Sequence, residues 1–264
     1  MKIKHPKKSL GQNFLTDKNV ADIIVNIGDI KKNDTVLEVG PGTGNLTEKI
    51  LSKNPREIFA IEKDKSLVKK LHERFSEKII LINDDILKID EKKYSNDPMI
   101  VFGNLPYNIS TQILIKWIRY NNLNNTFKKF ILMFQKEVAE RIIAETHEKN
   151  YGRLAVISSW KLNIKKVTDV LPNSFHPIPK VKSTVLLIEP KNEYFNLKNM
   201  KNLEHITNIF FNQRRKMIKK PLNIIFKNVN EISKKLNINI NDRPQNLSSL
   251  KYFEICREYE NLGS

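Results

Sequence analysis

The sequence predicts an α/β protein, a mostly parallel, doubly wound sheet followed by a small C-terminal α-helical domain. Three observations carry this reading. A short apolar strand runs into a glycine-rich turn and then a helix. Strand-like and helix-like segments then alternate as far as residue 188. Beyond Pro190 the strand pattern stops, and short apolar groups recur at helical spacing. Alternation of this kind is the pattern of a parallel α/β sheet.

The elements follow in order. Thr35–Val39 is a buried strand, and Leu46–Leu51 is a helix after the glycine turn. Ile58–Ile61 is a second strand, ending at Glu62. Leu67, Leu71 and Phe75 share one face of a helix over Ser66–Phe75. Strands follow at Ile79–Ile82, Met99–Phe102, Phe130–Phe134 and Val181–Ile188, with helices over Thr111–Tyr120 and Val138–Thr146. Residues 192–202 are polar and linker-like, so the expected domains are 1–188 and 189–264.

Composition narrows the function. The 264 residues include 46 Lys and Arg against 29 Asp and Glu, a net charge of +17. The excess is spread over both domains, +11 in residues 1–188 and +6 in 189–264. A balance this basic favours a polyanionic partner. Cys256 is the single cysteine, which excludes a disulfide framework and a thiolate metal site, and it sits among Phe253, Ile255 and Tyr259 as a packing residue. The five histidines lack metal-ligand spacing, so no metal is expected. No apolar run of about 18 residues reads as a membrane span. No apolar signal segment follows the basic start Met1–Lys8, and a reducing cytoplasmic setting is expected.

The chain has only eight glycines, and three of them fall within five residues, Gly40, Gly42 and Gly44. Such a cluster marks backbone that needs positive φ or must approach a ligand closely. Its spacing, G-x-G-x-G, differs from the G-x-G-x-x-G of dinucleotide enzymes, and +17 has no use in a nicotinamide oxidoreductase. Glu62, one βα unit later, can accept two hydrogen bonds from a ribose. Asp85, at the end of the third strand, can accept from an adenine amino group; Asp84 is adjacent and the sequence does not separate the two.

Asn104-Leu105-Pro106-Tyr107 follows the fourth strand and suggests methylation of an exocyclic amine. That nitrogen is a poor nucleophile because its lone pair is delocalised into the ring. Two acceptors aimed at its two hydrogens favour a pyramidal, more nucleophilic nitrogen. The Asn104 side-chain oxygen and a backbone carbonyl of Leu105 or Pro106 can supply them. Pro106 stiffens the turn, and Tyr107 stacks on an extruded base.

Five ordered motifs, Gly11-Gln12-Asn13-Phe14-Leu15, Glu38 to Gly44, Gly103 to Ser110, Tyr151-Gly152-Arg153-Leu154 and Phe175 to Ser183, resemble the small-subunit ribosomal RNA adenine dimethyltransferase family. Gln213-Arg214-Arg215-Lys216 matches the family's later pattern, and the resemblance covers essentially the whole chain. It implies a Rossmann-like methyltransferase domain with S-adenosylmethionine as methyl donor. It implies that two adjacent adenines near the 3′ end of small-subunit rRNA are each methylated twice at N6.

By the same match, Gln12, Asn13, Leu15, Gly40, Gly42, Glu62, Asp85 and Asn104 bind the donor, and Asn104 to Tyr107 with Phe175 form the catalytic set. Phe175 resembles a second aromatic opposite Tyr107. Lys7, Lys8, Arg214, Arg215 and Lys216 are expected on RNA phosphates. A helix is implied from about Arg153 to Trp160. Lys182 stands where the family often has Asp, and His176 falls at a variable position. The implied partner is rRNA in a pre-ribosomal particle, with the protein acting as a monomer. Two other readings share these motifs. One is a large-subunit rRNA adenine methyltransferase of the antibiotic-resistance type. The other is a non-catalytic nucleic-acid-binding assembly factor on the same fold.

Overall fold

The computed structural model describes residues 11–263. Its first part carries β1 (Phe14–Leu15), α1 (Lys18–Gly28), β2 (Thr35–Val39), α2 (Asn45–Leu51), β3 (Glu57–Ile61), α3 (Lys65–Phe75) and β4 (Ile80–Ile82). Then come β5 (Met99–Asn104), α4 (Ser110–Ile118), the single turn α5 (Leu123–Thr126), β6 (Phe127–Gln135), α6 (Lys136–Ile143), α7 (Arg153–Lys161), β7 (Leu162–Val170), β8 (Phe175–His176) and β9 (Ser183–Pro190). Four helices close the chain, α8 (Met200–Phe211), α9 (Lys219–Ile225), α10 (Val229–Leu236) and α11 (Ser249–Leu262).

Seven strands form one sheet in the order β4-β3-β2-β5-β6-β9-β7. The pairs from β4 through β6 are parallel, and β9 runs antiparallel to β6. All five residues of β2 are buried, as a central parallel strand covered on both faces requires. The chain leaves β2 to one side for β3 and β4 and returns on the other side as β5. This reversal opens a crevice at the C-terminal ends of β2 and β5, where α/β sheets place ligands. Register sets what meets there: Val39 lies opposite Ile61 of β3 and Gly103 of β5. The next residue of each strand, Gly40, Glu62 or Asn104, therefore reaches the same edge.

Local chemistry explains the helices. Asp17 caps α1, accepting from the backbone N–H of Asn19 and Val20, and Ala21, Ile24, Val25 and Gly28 form its buried stripe. Asp64 caps α3 in the same way, and Leu67, Leu71 and Phe75 turn inward as their spacing predicts.

The chain falls into two compact units, one from Met1–Ala139 with Asn163–Pro190, the other from Glu140–Leu162 with Lys191–Ser264. This grouping differs from the expected unbroken domain 1–188 in one stretch, Glu140–Leu162, which groups with the helical unit. The reason is partnership beyond local pattern. Within that unit the Tyr151 hydroxyl donates to the Leu247 carbonyl at 3.0 Å, and the Lys191 N–H donates to the Lys161 carbonyl at 2.8 Å. Cys256 is buried there, its thiol pushed up by burial. The sequence reading also leaves α1 and β7 without an element. Lys165 and Lys166 break the apolar pattern of β7, the last strand in the sheet order, and lysine suits an edge strand.

Candidate active site

A cleft opens at the crevice between β2 and β5. Its walls are Gly11–Leu15, Glu38–Thr43, Glu62 and Lys63, Asp84 and Asp85, and Asn104–Ile109, with Asn45, Leu46, Ile61 and Ile86. Every expected donor residue is on that wall, as are Asn104, Leu105, Pro106 and Tyr107.

The glycine turn is shaped by backbone geometry. Gly40 and Gly42 have φ of 70° and 59°, a region closed to most side chains. A Cβ on Gly42 would also lie 2.7 Å from the Phe14 ring. A Cβ on Gly40 would meet only the Asn104 carbonyl, at 3.8 Å, so this glycine keeps cleft space open. The turn is pinned by the Gly40 N–H on the Ile61 carbonyl at 2.9 Å and the Gly44 N–H on the Pro41 carbonyl at 2.8 Å.

Two buried carboxylates stand under it. Glu62 accepts from the N–H of Gly42 at 3.2 Å through Oε2 and from the N–H of Asp64 at 2.9 Å through Oε1. A carboxylate has about four acceptor positions, so each oxygen retains one for a ligand hydroxyl. Burial raises the Glu62 pKa, and these backbone donors oppose the rise. Glu38 accepts from the Thr47 hydroxyl at 2.7 Å, and burial pushes its pKa up to about 7 despite that bond. Farther along the wall, Asp84 is exposed and Asp85 partly covered. Asp85 accepts from the Leu87 N–H at 3.0 Å and pairs with Lys63 at 2.8 Å. The hydrogen bond from Lys63 holds its carboxyl below the usual range.

Asn104 ends β5. Its amide nitrogen donates to the Asn13 carbonyl at 2.8 Å. Only the NH₂ end can face a carbonyl, so this bond fixes the flip, and among the described residues Oδ1 is left as a free acceptor. The Pro106 carbonyl accepts the Ile109 N–H at 3.1 Å, a turn bond. The Tyr107 hydroxyl meets the Ser183 hydroxyl at 2.6 Å, which fixes the ring at the cleft wall.

Phe175 departs from expectation. It is 2 % exposed, packs in the core with Leu15, and is not on the cleft wall. Pairing of β8 with β1 sets Leu15 opposite Phe175, and strand alternation turns Phe175 inward and His176 outward.

Lys7 and Lys8 lie outside the described residues. In the helical unit, Arg214–Lys216 follow α8 as a turn. Arg215 and Lys216 are exposed, whereas Arg214 is half-buried and donates to the Lys149 carbonyl at 2.5 Å. Ser183 and Asp64 carry no role in the sequence reading. Asp64 accepts from the Gln12 amide at 3.2 Å, tying the first cleft motif to the cap of α3. Both are small polar residues beside recognisable motifs, a signal too common to single them out.

A family model described as ribosomal RNA adenine dimethylase matches residues 3–261. The ribosomal RNA small subunit methyltransferase A of Pelagibacter ubique is 55 % identical over 256 residues, 97 % of each chain. Its namesake in Ehrlichia ruminantium is 42 % identical over 259 residues, 96 % of each chain. Among solved structures, a dimethyladenosine transferase from Plasmodium falciparum superposes with a TM-score of 0.79 at 26 % identity, covering 95 % of this chain and 98 % of that one. The 23S rRNA methyltransferase ErmE shares the fold, with a TM-score of 0.68 at 23 % identity over 93 % of this chain and 99 % of its own. On a family match that spans nearly all of its length, the chain belongs to the ribosomal RNA adenine dimethylase family.

Proposed function

We propose that the protein methylates N6 of two adjacent adenines near the 3′ end of small-subunit rRNA, twice each, with S-adenosylmethionine as donor. It does so during small-subunit maturation, as a monomer acting on a pre-ribosomal particle in the cytoplasm. One observation carries the reaction class. Asn104 is anchored through its NH₂ group on the Asn13 carbonyl, which leaves Oδ1 at the cleft wall as an acceptor for an amine.

The cleft suits the donor. Gly40 leaves room for a ligand against the backbone, Glu62 retains acceptor positions for ribose hydroxyls, and Asp85 can take an adenine amino group. When bound, S-adenosylmethionine supplies a methyl carbon made electrophilic by its sulfonium.

The residues then act on the substrate amine. Asn104 Oδ1 accepts one N6 hydrogen. The backbone carbonyl of Leu105 or Pro106 takes the other; Pro106 also accepts the Ile109 N–H and keeps a second lone pair. Both bonds strengthen as nitrogen pyramidalises and gains positive charge, so they lower the barrier more than they tighten ground-state binding. The target stacks on the Tyr107 ring, held by Ser183. Methyl transfer to N6 would exchange the donor's carbon–sulfur bond for the carbon–nitrogen bond, leaving a neutral thioether, and the N6 proton would then pass to water, so no ionised general base is needed. After the first transfer one N6 hydrogen remains, and one acceptor goes unpaired in the second.

The test is mass spectrometry of adenosines from small-subunit rRNA incubated with protein and donor. Dimethyladenosine at two adjacent positions is expected. Its absence, or its appearance in large-subunit rRNA instead, would overturn the proposal.

A further inference from the structure

The helical unit carries a hollow of its own, lined by Arg141, Asn150, Gly152, Arg153, Leu154, Asn208, Phe211, Asn212 and Arg214, with a volume of about 270 Å³. Three guanidiniums share this wall. Arg153 donates to the Asn208 side-chain oxygen at 3.2 Å, and Arg214 donates to the Lys149 carbonyl at 2.5 Å. Both partners are neutral. Among the described residues, none of the three arginines has a carboxylate within ion-pair distance. Glu140 accepts from the amide of Asn150, another residue of the wall, at 3.2 Å. Three like charges around one concavity repel unless an anion lies between them.

The backbone adds to the same field. Gly152 is the N-cap of α7 and supplies no side-chain cap to the first-turn N–H groups, so the positive end of the helix lies at this wall. Neither strain nor crowding asks for glycine there. Its φ of −176° is extended. A Cβ would meet only Phe211 Cδ1, at 4.0 Å, itself on the wall of the hollow. What the missing side chain provides is room.

We propose that this hollow is an anion site that takes one phosphate group, held by Arg141, Arg153 and Arg214 against the start of α7. The hollow is roomy enough to admit a phosphate group together with water. Guanidiniums match phosphate oxygens in geometry as well as charge. The group can come from an RNA backbone phosphodiester or from free phosphate or a small phosphorylated molecule. The site itself does not rest on the methyl-transfer proposal; its RNA source does.

The full-length protein is titrated with inorganic phosphate by calorimetry at low ionic strength. One saturable site is expected. Its affinity falls at least tenfold in R141Q/R153Q and at least threefold in Gly152→Ala, which keeps every charge. Thermal melting of the variants, alone and with S-adenosylmethionine, separates loss of the hollow from loss of the fold. An unchanged donor-induced shift in melting shows the cleft intact, so failure here is distinguishable from failure of the methyl-transfer proposal.

A second arm measures binding of a small-subunit rRNA fragment. If the occupant is a backbone phosphate, inorganic phosphate competes with the fragment, and Gly152→Ala weakens RNA binding at least threefold. If the occupant is a free phosphate compound, Gly152→Ala loses phosphate but binds RNA as the wild type does. Either result supports the site. No saturable phosphate binding by the wild type, or equal phosphate binding by the wild type and both variants, would overturn it.

Discussion

The two ends of the cleft are built differently. At the glycine turn, backbone does most of the work: positive-φ glycines shape the wall, and Glu62 is fixed by two main-chain N–H groups. At the amine end, two side chains are each held by one long-range bond, Asn104 to Asn13 and Tyr107 to Ser183. The first end is rigid and closely tied to the fold. The second can lose its chemistry while the fold survives. Binding and reaction are therefore separable by mutation.

Glu62→Ala gives the largest expected effect. It removes two charge-assisted bonds to a ribose, roughly 1.5–3 kcal/mol each, so donor affinity falls about a hundredfold or more while RNA affinity holds. It also releases the N–H groups of Gly42 and Asp64, so the melting temperature falls with it. Calorimetry with donor and with RNA checks the split. Because burial raises the Glu62 pKa and the ionised form is the stronger acceptor, donor affinity in the wild type should rise with pH above the ordinary carboxylate range.

Glu38 sharpens the point that this end is tied to stability. Its pKa rises from 4.5 unfolded to about 7 folded, so between these values the native state holds the extra proton. Its contribution is complete below pH 4.5 and is lost as pH rises through about 7, a change of about 3 kcal/mol at 1.36 kcal/mol per pKa unit. Glu38→Gln can still accept from Thr47 and should flatten the fall in stability between pH 5 and 8, read by urea denaturation. An unchanged slope would assign the pH dependence elsewhere.

Asn104→Ala should keep its melting temperature within a degree or two and slow methyl transfer at saturating donor by about 100-fold, near 2.7 kcal/mol of barrier. Near-normal dimethylation would make Asn104 a loop residue only.

Ser183→Ala is expected to cost least at this end. It frees the Tyr107 hydroxyl and should lower kcat/KM for RNA by about three- to tenfold, within the roughly 0.5–1.5 kcal/mol of one hydrogen bond. Tyr107→Phe should cost the same, and the double variant no more than either. Full additivity would show that the two hydroxyls do not act together.

The same contrast separates what the sequence reveals from what it hides. The glycine turn is legible because Gly40, Gly42 and Gly44 lie within five residues and their conformational demand is local. Glu62 and Asn104 are legible because each ends an apolar strand. The bond from Asn104 to Asn13 spans 91 residues and that from Tyr107 to Ser183 spans 76, and no local pattern announces either. The burial of Phe175 is hidden for a related reason: the resemblance marks an aromatic, but pairing with β1 decides which face it takes. The segment Glu140–Leu162 has apolar spacing that suits either unit, and only its partners settle the matter. Arg214 reads as one of a basic run, yet it is half-buried on the wall of a hollow while Arg215 and Lys216 face solvent.

The most direct test measures Glu62→Ala and Asn104→Ala side by side, each for donor affinity by calorimetry and for single-turnover methyl transfer at saturating donor. A crossed result is expected. Glu62→Ala loses about a hundredfold or more in donor affinity and keeps its rate within about tenfold once saturated. Asn104→Ala changes donor affinity by less than about tenfold and loses about a hundredfold in rate. If both variants lose affinity and rate in the same proportion, the cleft is one cooperative unit and the division between a donor end and an amine end is wrong.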